Sequence, residues 1–383
     1  MNSKRMKNLH PYVPGEQPQD REYIKLNANE NPYPPCAEVV SAVADFVTGY
    51  PEKLGLYPDP DSLVLHEAIA GMINRTGGVL CRAVSDGKQC RPAEQDKIPF
   101  TVTPDMIYSG NGSDEVLSFV FYAFFDSSRR LVVPEFSYSF YPVYGGFYNI
   151  PLDPVKLNGD WTLDTAKMAA HERRNRSGII FANPNAPTGR GLTRREVREM
   201  LLNTRRDKVF VVDEAYVDFG GESCIPLLAE FPNLLIVRTF SKSLCSAGMR
   251  LGYIVASPEL VRTVTTVKNS LNHFPIDAVA QVAGSTACAN DAYYADCAKK
   301  ITVEREKFTS FLQALGWDVV PSQTNFVFVK KNGIGGEEAY RKIKEHGILV
   351  RHFATNGIED YLRITIGTAG QMQTLCTAME HIL

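Results

Sequence analysis

Long apolar runs are missing from this chain. No stretch is apolar enough to cross a bilayer, and the start, Met1 to Lys7, is polar and basic without the apolar segment of an export signal. The expectation is therefore a cytoplasmic protein away from membranes. An excess of either charge is missing too. With 41 basic and 43 acidic side chains the net charge is −2, so nothing points to nucleic acid or a membrane surface as a partner. Paired cysteines are also lacking. The eight present (Cys36, Cys81, Cys90, Cys224, Cys245, Cys288, Cys297 and Cys376) form no CxxC, so their spacing indicates neither a metal framework nor a redox dithiol. Reduced thiols in a reducing compartment are the simplest reading. There is no internal repeat and no low-complexity tract. What is there is an ordinary globular composition, 44% hydrophobic and 22% charged over 383 residues, enough for two modest domains.

Residues 1–35 are rich in Pro, Asn and charge, as in an extended arm. Short apolar runs then alternate with helix-like segments: Met106–Ser109, Leu131–Pro134, Ile179–Ala182, Val209–Asp213, Leu234–Thr239 and Tyr253–Ala256. That alternation predicts an α/β domain with a mostly parallel sheet covered on both faces. Ser257 to Leu315 reads as helical. Beyond it, strands at Asp318–Val320, Asn325–Val329, Ile348–Arg351 and Tyr361–Ile366, with helices at Glu337–Glu345 and Ala369–Leu383, predict a compact α+β domain. The expected division is an arm (1–35), a large domain (36–260) and a small domain (261–383). Within the large domain, about 76–104 reads as a surface insertion, with a hairpin through Gly78–Ala83 and Phe100–Val102.

Four segments carry the chemistry. In Thr239-Phe240-Ser241-Lys242-Ser243, a lysine follows directly on a buried strand, with Ser241 beside it and Arg250 eight residues on. Lysines rarely enter a core unless paired or chemically employed. The grouping suits a lysine in Schiff-base linkage to a phosphate-bearing cofactor, although a surface lysine on a serine-rich turn explains this segment alone equally well. Val209-Phe210-Val211-Val212-Asp213-Glu214-Ala215-Tyr216 ends an apolar strand in a carboxylate and, three residues later, a phenol. Such strand ends are where α/β sheets put ligand-binding groups, while a helix cap and a core aromatic are the plainer alternatives. Asn183-Pro184-Asn185-Ala186-Pro187-Thr188-Gly189 and Tyr108-Ser109-Gly110-Asn111-Gly112-Ser113 are strand-to-turn passages, the second opening a helix whose free N–H groups suit a phosphate. Asp114 and Glu115 are then expected to point outward and stabilise that helix's first turn.

In this order the segments resemble the fold-type-I pyridoxal-phosphate aminotransferases. His10-Pro11-Tyr12-Val13-Pro14-Gly15, Asn27-Ala28-Asn29-Glu30-Asn31-Pro32, Tyr57-Pro58-Asp59, Ile348-Leu349-Val350-Arg351 and Leu362-Arg363-Ile364-Thr365 narrow the resemblance to the histidinol-phosphate aminotransferase family, over nearly the whole chain. That family implies a seven-stranded, mostly parallel sheet between helices, a small C-terminal domain, and a homodimer. It implies pyridoxal 5′-phosphate as cofactor and no metal, with histidinol phosphate and glutamate or 2-oxoglutarate as substrates. By the same resemblance Lys242, Asp213 and Tyr216 are catalytic. Gly112, Ser113, Phe136, Asn185, Ser241 and Arg250 hold the cofactor, with Tyr57 reaching its phosphate from the neighbouring subunit. Asn29, Tyr23, Arg351 and Arg363 bind substrate. One departure stands out: Ala186 occupies the place of the asparagine that precedes Pro-Thr-Gly in related enzymes, leaving Asn183, Asn185 or Tyr216 alone to bond the ring's phenolate oxygen. An aromatic amino-acid aminotransferase, a threonine-phosphate decarboxylase and a non-catalytic regulator of the same fold are the alternatives. The last lacks any basic nucleic-acid-binding module here.

Overall fold

The computed structural model describes residue 6 and residues 9–81 and 98–382. The chain enters along an extended arm with one short strand, β1 (Ile24–Lys25), then forms α1 (Ala37–Gly49) and α2 (Leu63–Thr76). There follow β2 (Ile107–Asn111), α3 (Gly112–Phe124), β3 (Leu131–Pro134), α4 (Phe140–Tyr148), β4 (Leu152–Val155), α5 (Thr165–Glu172), β5 (Gly178–Ala182), α6 (Arg194–Leu202), β6 (Val209–Asp213), β7 (Leu234–Thr239) and β8 (Leu251–Ala256). Strands β2 to β8 form one seven-stranded sheet in the order β2-β8-β7-β6-β5-β3-β4. The near-continuous Val, Ile, Leu and Phe of β5, β6, β7 and β8 follow from burial on both faces, since helices cover each side. Local signals place the helices: Thr193 and Glu196 close a reciprocal capping box on α6, and the Asp164 carboxylate caps α5.

Two features of the sheet position the site. The pairs β3–β4, β3–β5, β5–β6 and β6–β7 are parallel, so their carboxyl ends share one edge. Strand β8 runs antiparallel to both β7 and β2, which brings its amino end, after Arg250, to that same edge. The sequence pattern located β8 but not its direction. It also missed β4, whose Leu-Asp-Pro-Val lacks a β-type run.

Helices α7 (Pro258–Leu271) and α8 (Ala278–Ala289) follow, then α9 (Asp291–Ala314). The tail comprises β9 (Trp317–Val320), β10 (Phe326–Lys331), α10 (Gly336–Glu345), β11 (Ile348–Leu349), β12 (Arg351–His352), β13 (Leu362–Thr365) and α11 (Ala369–Ile382). Four of these strands form an antiparallel sheet, β12-β13-β10-β9. The single strand expected at Ile348–Arg351 is split. Its first half, β11, pairs in parallel with β1 of the arm, and β12 turns to β13. Packing passes from one set of cores to another within α9. Val261, Val264, Ala280 and Cys297 pack in the cores flanking the seven-stranded sheet, whereas Ala298, Ile301 and Phe308 join the core of the small sheet. A helix that continues unbroken through a boundary leaves no break for a sequence to reveal.

Of the hairpin expected around the insertion, Ala83 lies outside the described residues, and neither 78–81 nor 100–102 is a strand. The described ends are tied down instead. The Asn74 amide exchanges two 2.9 Å hydrogen bonds with the Val102 backbone, and the Leu80 N–H donates to Asp218 at 2.8 Å. Among the described residues, no helix is long and apolar enough to cross a membrane.

Candidate active site

Two adjoining cavities, of about 350 and 570 Å³, open at the carboxyl edge of the large sheet. They share Ala28, Tyr138, Ala186, Tyr216 and Lys242 as walls, so Lys242 stands at their junction. Its ammonium donates to the Ala28 carbonyl at 3.3 Å and lies 5.7 Å from the centre of the Tyr216 ring. Its backbone carbonyl accepts from Asn31 at 2.9 Å, which ties the lysine turn to the arm.

The smaller cavity is lined by Asp213, Tyr216, Ser241, Ser113, Asp114 and Arg250 among others. Asp213, at the end of β6, is only 4% exposed. Its Oδ2 accepts from the Tyr141 hydroxyl at 3.0 Å and its Oδ1 from the Ala215 N–H at 3.1 Å. Burial raises its pKa to about 6; these two donors pull the other way, while Asp114 and Glu214 add to the rise. A carboxyl held above its unfolded value favours the folded state in acid, and that contribution is lost as pH rises through about 6. In cofactor-free protein, the stability of wild type relative to Asp213→Asn should therefore fall by roughly 2 kcal/mol between pH 4 and pH 7. Denaturant titrations at the two pH values measure it; a difference independent of pH would contradict the buried, unpaired carboxylate.

Tyr216 is oriented by its neighbour. Asn29 donates to its hydroxyl at 2.9 Å, which leaves the phenol's own hydrogen free to point into the cavity. Asn29 is itself fixed, because Thr365 donates to its Oδ1 at 3.1 Å and Asn325 to its carbonyl at 3.0 Å. Across the cavity, the Arg250 guanidinium lies 3.5 Å from the Asp114 carboxylate, which also accepts from Tyr138 at 2.6 Å. Asp114 thus faces the cavity and does not point outward as expected. Glu115 does serve the helix start, accepting from the Asn111 N–H at 2.8 Å. Gly112 sits behind Arg250 at φ +78°, and a Cβ there would lie 2.4 Å from the guanidinium. A side chain at 112 would fill the cradle, so glycine is required twice over.

The larger cavity is walled by the arm (Tyr12, Asn27, Asn29), by Phe136 and Tyr141, and by Arg351 and Arg363. The two arginines face each other in register across β12 and β13. Arg363 donates to the Asn27 carbonyl at 3.0 Å and Arg351 to the Val13 carbonyl at 3.1 Å, while the buried Arg363 Nε has no partner among the described residues. Like charges opposed on adjacent strands repel, and a buried donor without an acceptor is costly. An anion between them relieves both.

Not every expected residue reaches these cavities. Asn185 is fully buried with its amide occupied: it accepts from Ser137 at 2.9 Å and donates to the Phe136 carbonyl and to Thr188. Asn183 is likewise committed to the Leu192 backbone. Neither lines the two cavities, whereas Tyr216 lines both. Phe136 lines only the larger cavity, its ring 6.2 Å from that of Trp161. Tyr23 lines neither cavity; it donates to Asp20. Tyr57 is 82% exposed, stacked on Phe274 at 4.5 Å and outside both cavities. The sequence reading assigned no site role to Tyr12, Tyr138 or Tyr141, all of which line the larger cavity.

The donor set fits pyridoxal phosphate: an amine at the junction, a buried carboxylate for a ring nitrogen, a free phenol hydrogen for a ring oxygen, and a guanidinium with a hydroxyl for a phosphate. The family comparison agrees. Residues 21–379 match the model of aminotransferase class I and II, and the chain belongs to that family. It is 43% identical to a histidinol-phosphate aminotransferase of Syntrophus aciditrophicus over 383 residues, covering all of this chain and 98% of that one. With the enzyme of the same name from Chromohalobacter salexigens it shares 42% over 380 residues, 99% of this chain and 98% of the other. In fold it resembles the Sinorhizobium meliloti histidinol-phosphate aminotransferase solved with pyridoxal-5′-phosphate, at a TM-score of 0.82 and 22% identity, over 100% and 97% of the two chains.

Proposed function

We propose that this enzyme transfers an amino group between histidinol phosphate and 2-oxoglutarate, giving imidazole acetol phosphate and glutamate in histidine biosynthesis, with pyridoxal phosphate as cofactor. The observation that carries the reading is Lys242 at the junction of a cofactor-sized cavity closed by Asp213 and Arg250 and a second cavity holding the facing pair Arg351 and Arg363. The full-length relatives support the choice of substrate.

When bound, the cofactor supplies an electron sink for the bonds at the amino-bearing carbon. The protein does the rest. Asp213 would hold a proton on the ring nitrogen, and the Tyr216 hydroxyl, turned by Asn29, would donate to the ring oxygen. Arg250, Ser241 and the α3 N-terminus at Gly112 and Ser113 would hold the cofactor's phosphate. The Lys242 amine, which donates to the Ala28 carbonyl at 3.3 Å, would hold the cofactor covalently and, as a free base, would move the proton between the substrate's amino-bearing carbon and the cofactor. Arg351 and Arg363 fix the substrate's phosphate or, in the other half-reaction, a glutamate carboxylate. Purified protein should show a yellow absorbance that bleaches with glutamate and recovers with 2-oxoglutarate. A band indifferent to both would end the reading.

The working unit in this reading is a cytoplasmic homodimer. Tyr57 is exposed and lines one surface groove with the exposed Leu56 and Val64, an apolar face suited to a second copy, and it would then reach the partner's phosphate. Mixing the inactive variants Lys242→Ala and Tyr57→Ala under subunit exchange should restore part of the activity, because one site of each mixed dimer keeps both residues. No recovery despite verified exchange would count against shared sites.

A further inference from the structure

Tyr141 is the least expected neighbour of the reacting groups. It lies in the first turn of α4, 72 positions before Asp213 in the chain, and is 1% exposed. Its ring is locked by Phe121 and by an edge contact with Tyr138, at 6.3 and 5.7 Å between centres. From that fixed place its hydroxyl makes the only side-chain hydrogen bond to Asp213 among the described residues, 3.0 Å to Oδ2. The other bond to the carboxylate comes from the Ala215 backbone, so acceptor capacity remains on the side open to the cavity.

We propose that Tyr141 is a positioning residue for Asp213: its phenol holds the carboxylate in the orientation and the ionised form that meet the cofactor's ring nitrogen. This rests on the assignment of Asp213 to that nitrogen. The surroundings make such a donor necessary. Asp114 of α3 and the adjacent Glu214 disfavour a second negative charge, Tyr144 of α4 lies nearby, and Lys242 and Arg250 line the cavity. Burial and the Asp213 charge keep the Tyr141 phenol protonated far beyond neutral pH, so it remains a donor throughout the working range.

The test compares Tyr141→Phe, Asp213→Asn and Tyr144→Phe, the last removing a phenol from the same aromatic cluster that donates to the Asp114 carbonyl instead. In cofactor-free protein, the Asp213 carboxyl, followed by difference infrared spectroscopy, should titrate roughly one to two pH units higher in Tyr141→Phe than in wild type. Its Kd for pyridoxal phosphate should rise at least about ten-fold, as in Asp213→Asn, and kcat should fall with little change in the KM for glutamate. If Tyr141→Phe folds poorly, 3-fluorotyrosine at position 141, a stronger donor, should shift the carboxyl the opposite way. An unmoved carboxyl, or equal shifts in Tyr144→Phe, would overturn the role of Tyr141 alone. Unchanged cofactor affinity in Asp213→Asn would overturn the underlying assignment as well.

Discussion

Lys242→Ala is expected to fold normally and to lose transamination by at least about a thousand-fold, since both covalent attachment and the proton relay are removed. The fold should survive because, among the described residues, the ammonium's sole hydrogen bond is the 3.3 Å contact with the Ala28 carbonyl, and no carboxylate is left unpaired by its loss. The turn that carries it is held by other groups. Ser243 donates to Asp218 at 2.6 Å, and Arg238 spans Glu214 and Asp218 at 2.7 and 3.8 Å beneath. Stability should therefore change by less than about 1 kcal/mol. The parallel experiment reduces the wild-type enzyme with borohydride and maps its peptides. The pyridoxyl label should fall on Lys242, and a label on another lysine would end the assignment.

The second large effect belongs to the facing arginines. Arg363→Ala should lower kcat/KM for both histidinol phosphate and glutamate, whereas Arg351→Ala should harm the phosphate substrate more. Loss of one charge-assisted hydrogen bond costs about 1.5–3 kcal/mol, or roughly ten- to a hundred-fold. The asymmetry follows from burial. Arg363 is pressed between Phe326 and Phe353, 5.4 and 5.8 Å from their ring centres, with its Nε unpartnered. Arg351 lies on the rim and also holds the Val13 carbonyl of the arm, a contact that water replaces readily. Desolvation lowers the Arg363 pKa from its ordinary value, yet guanidinium remains charged in any accessible pH range. Normal kinetics with both substrates in both variants would place the anion site elsewhere.

How much of this was legible in the sequence depended on whether the signal was local. The central strands read correctly because strands buried on both faces are continuous runs of Val, Ile and Leu, and their carboxyl ends delivered Asp213 and Lys242 as breaks in those runs. Arg250 was legible as a cation near the lysine. The antiparallel direction of β8, which puts Arg250 at the working edge, is a property of pairing and leaves no mark in its own residues. The same holds for Tyr141, whose sequence context is an aromatic helix and whose partner lies on another element. Asn185 shows the opposite failure. Its motif suggested a ligand, but its amide is buried and bound to Ser137 and Thr188, partners that the motif itself does not reveal.

The most direct test of the central claim is a panel of amino donors scored by kcat/KM: histidinol phosphate, histidinol, phenylalanine, tyrosine and threonine phosphate, each with 2-oxoglutarate. Histidinol phosphate should lead, with histidinol at least about a hundred-fold lower, because only the phosphate engages the facing Arg351 and Arg363. A preference for phenylalanine or tyrosine, or release of carbon dioxide from threonine phosphate, would contradict the account.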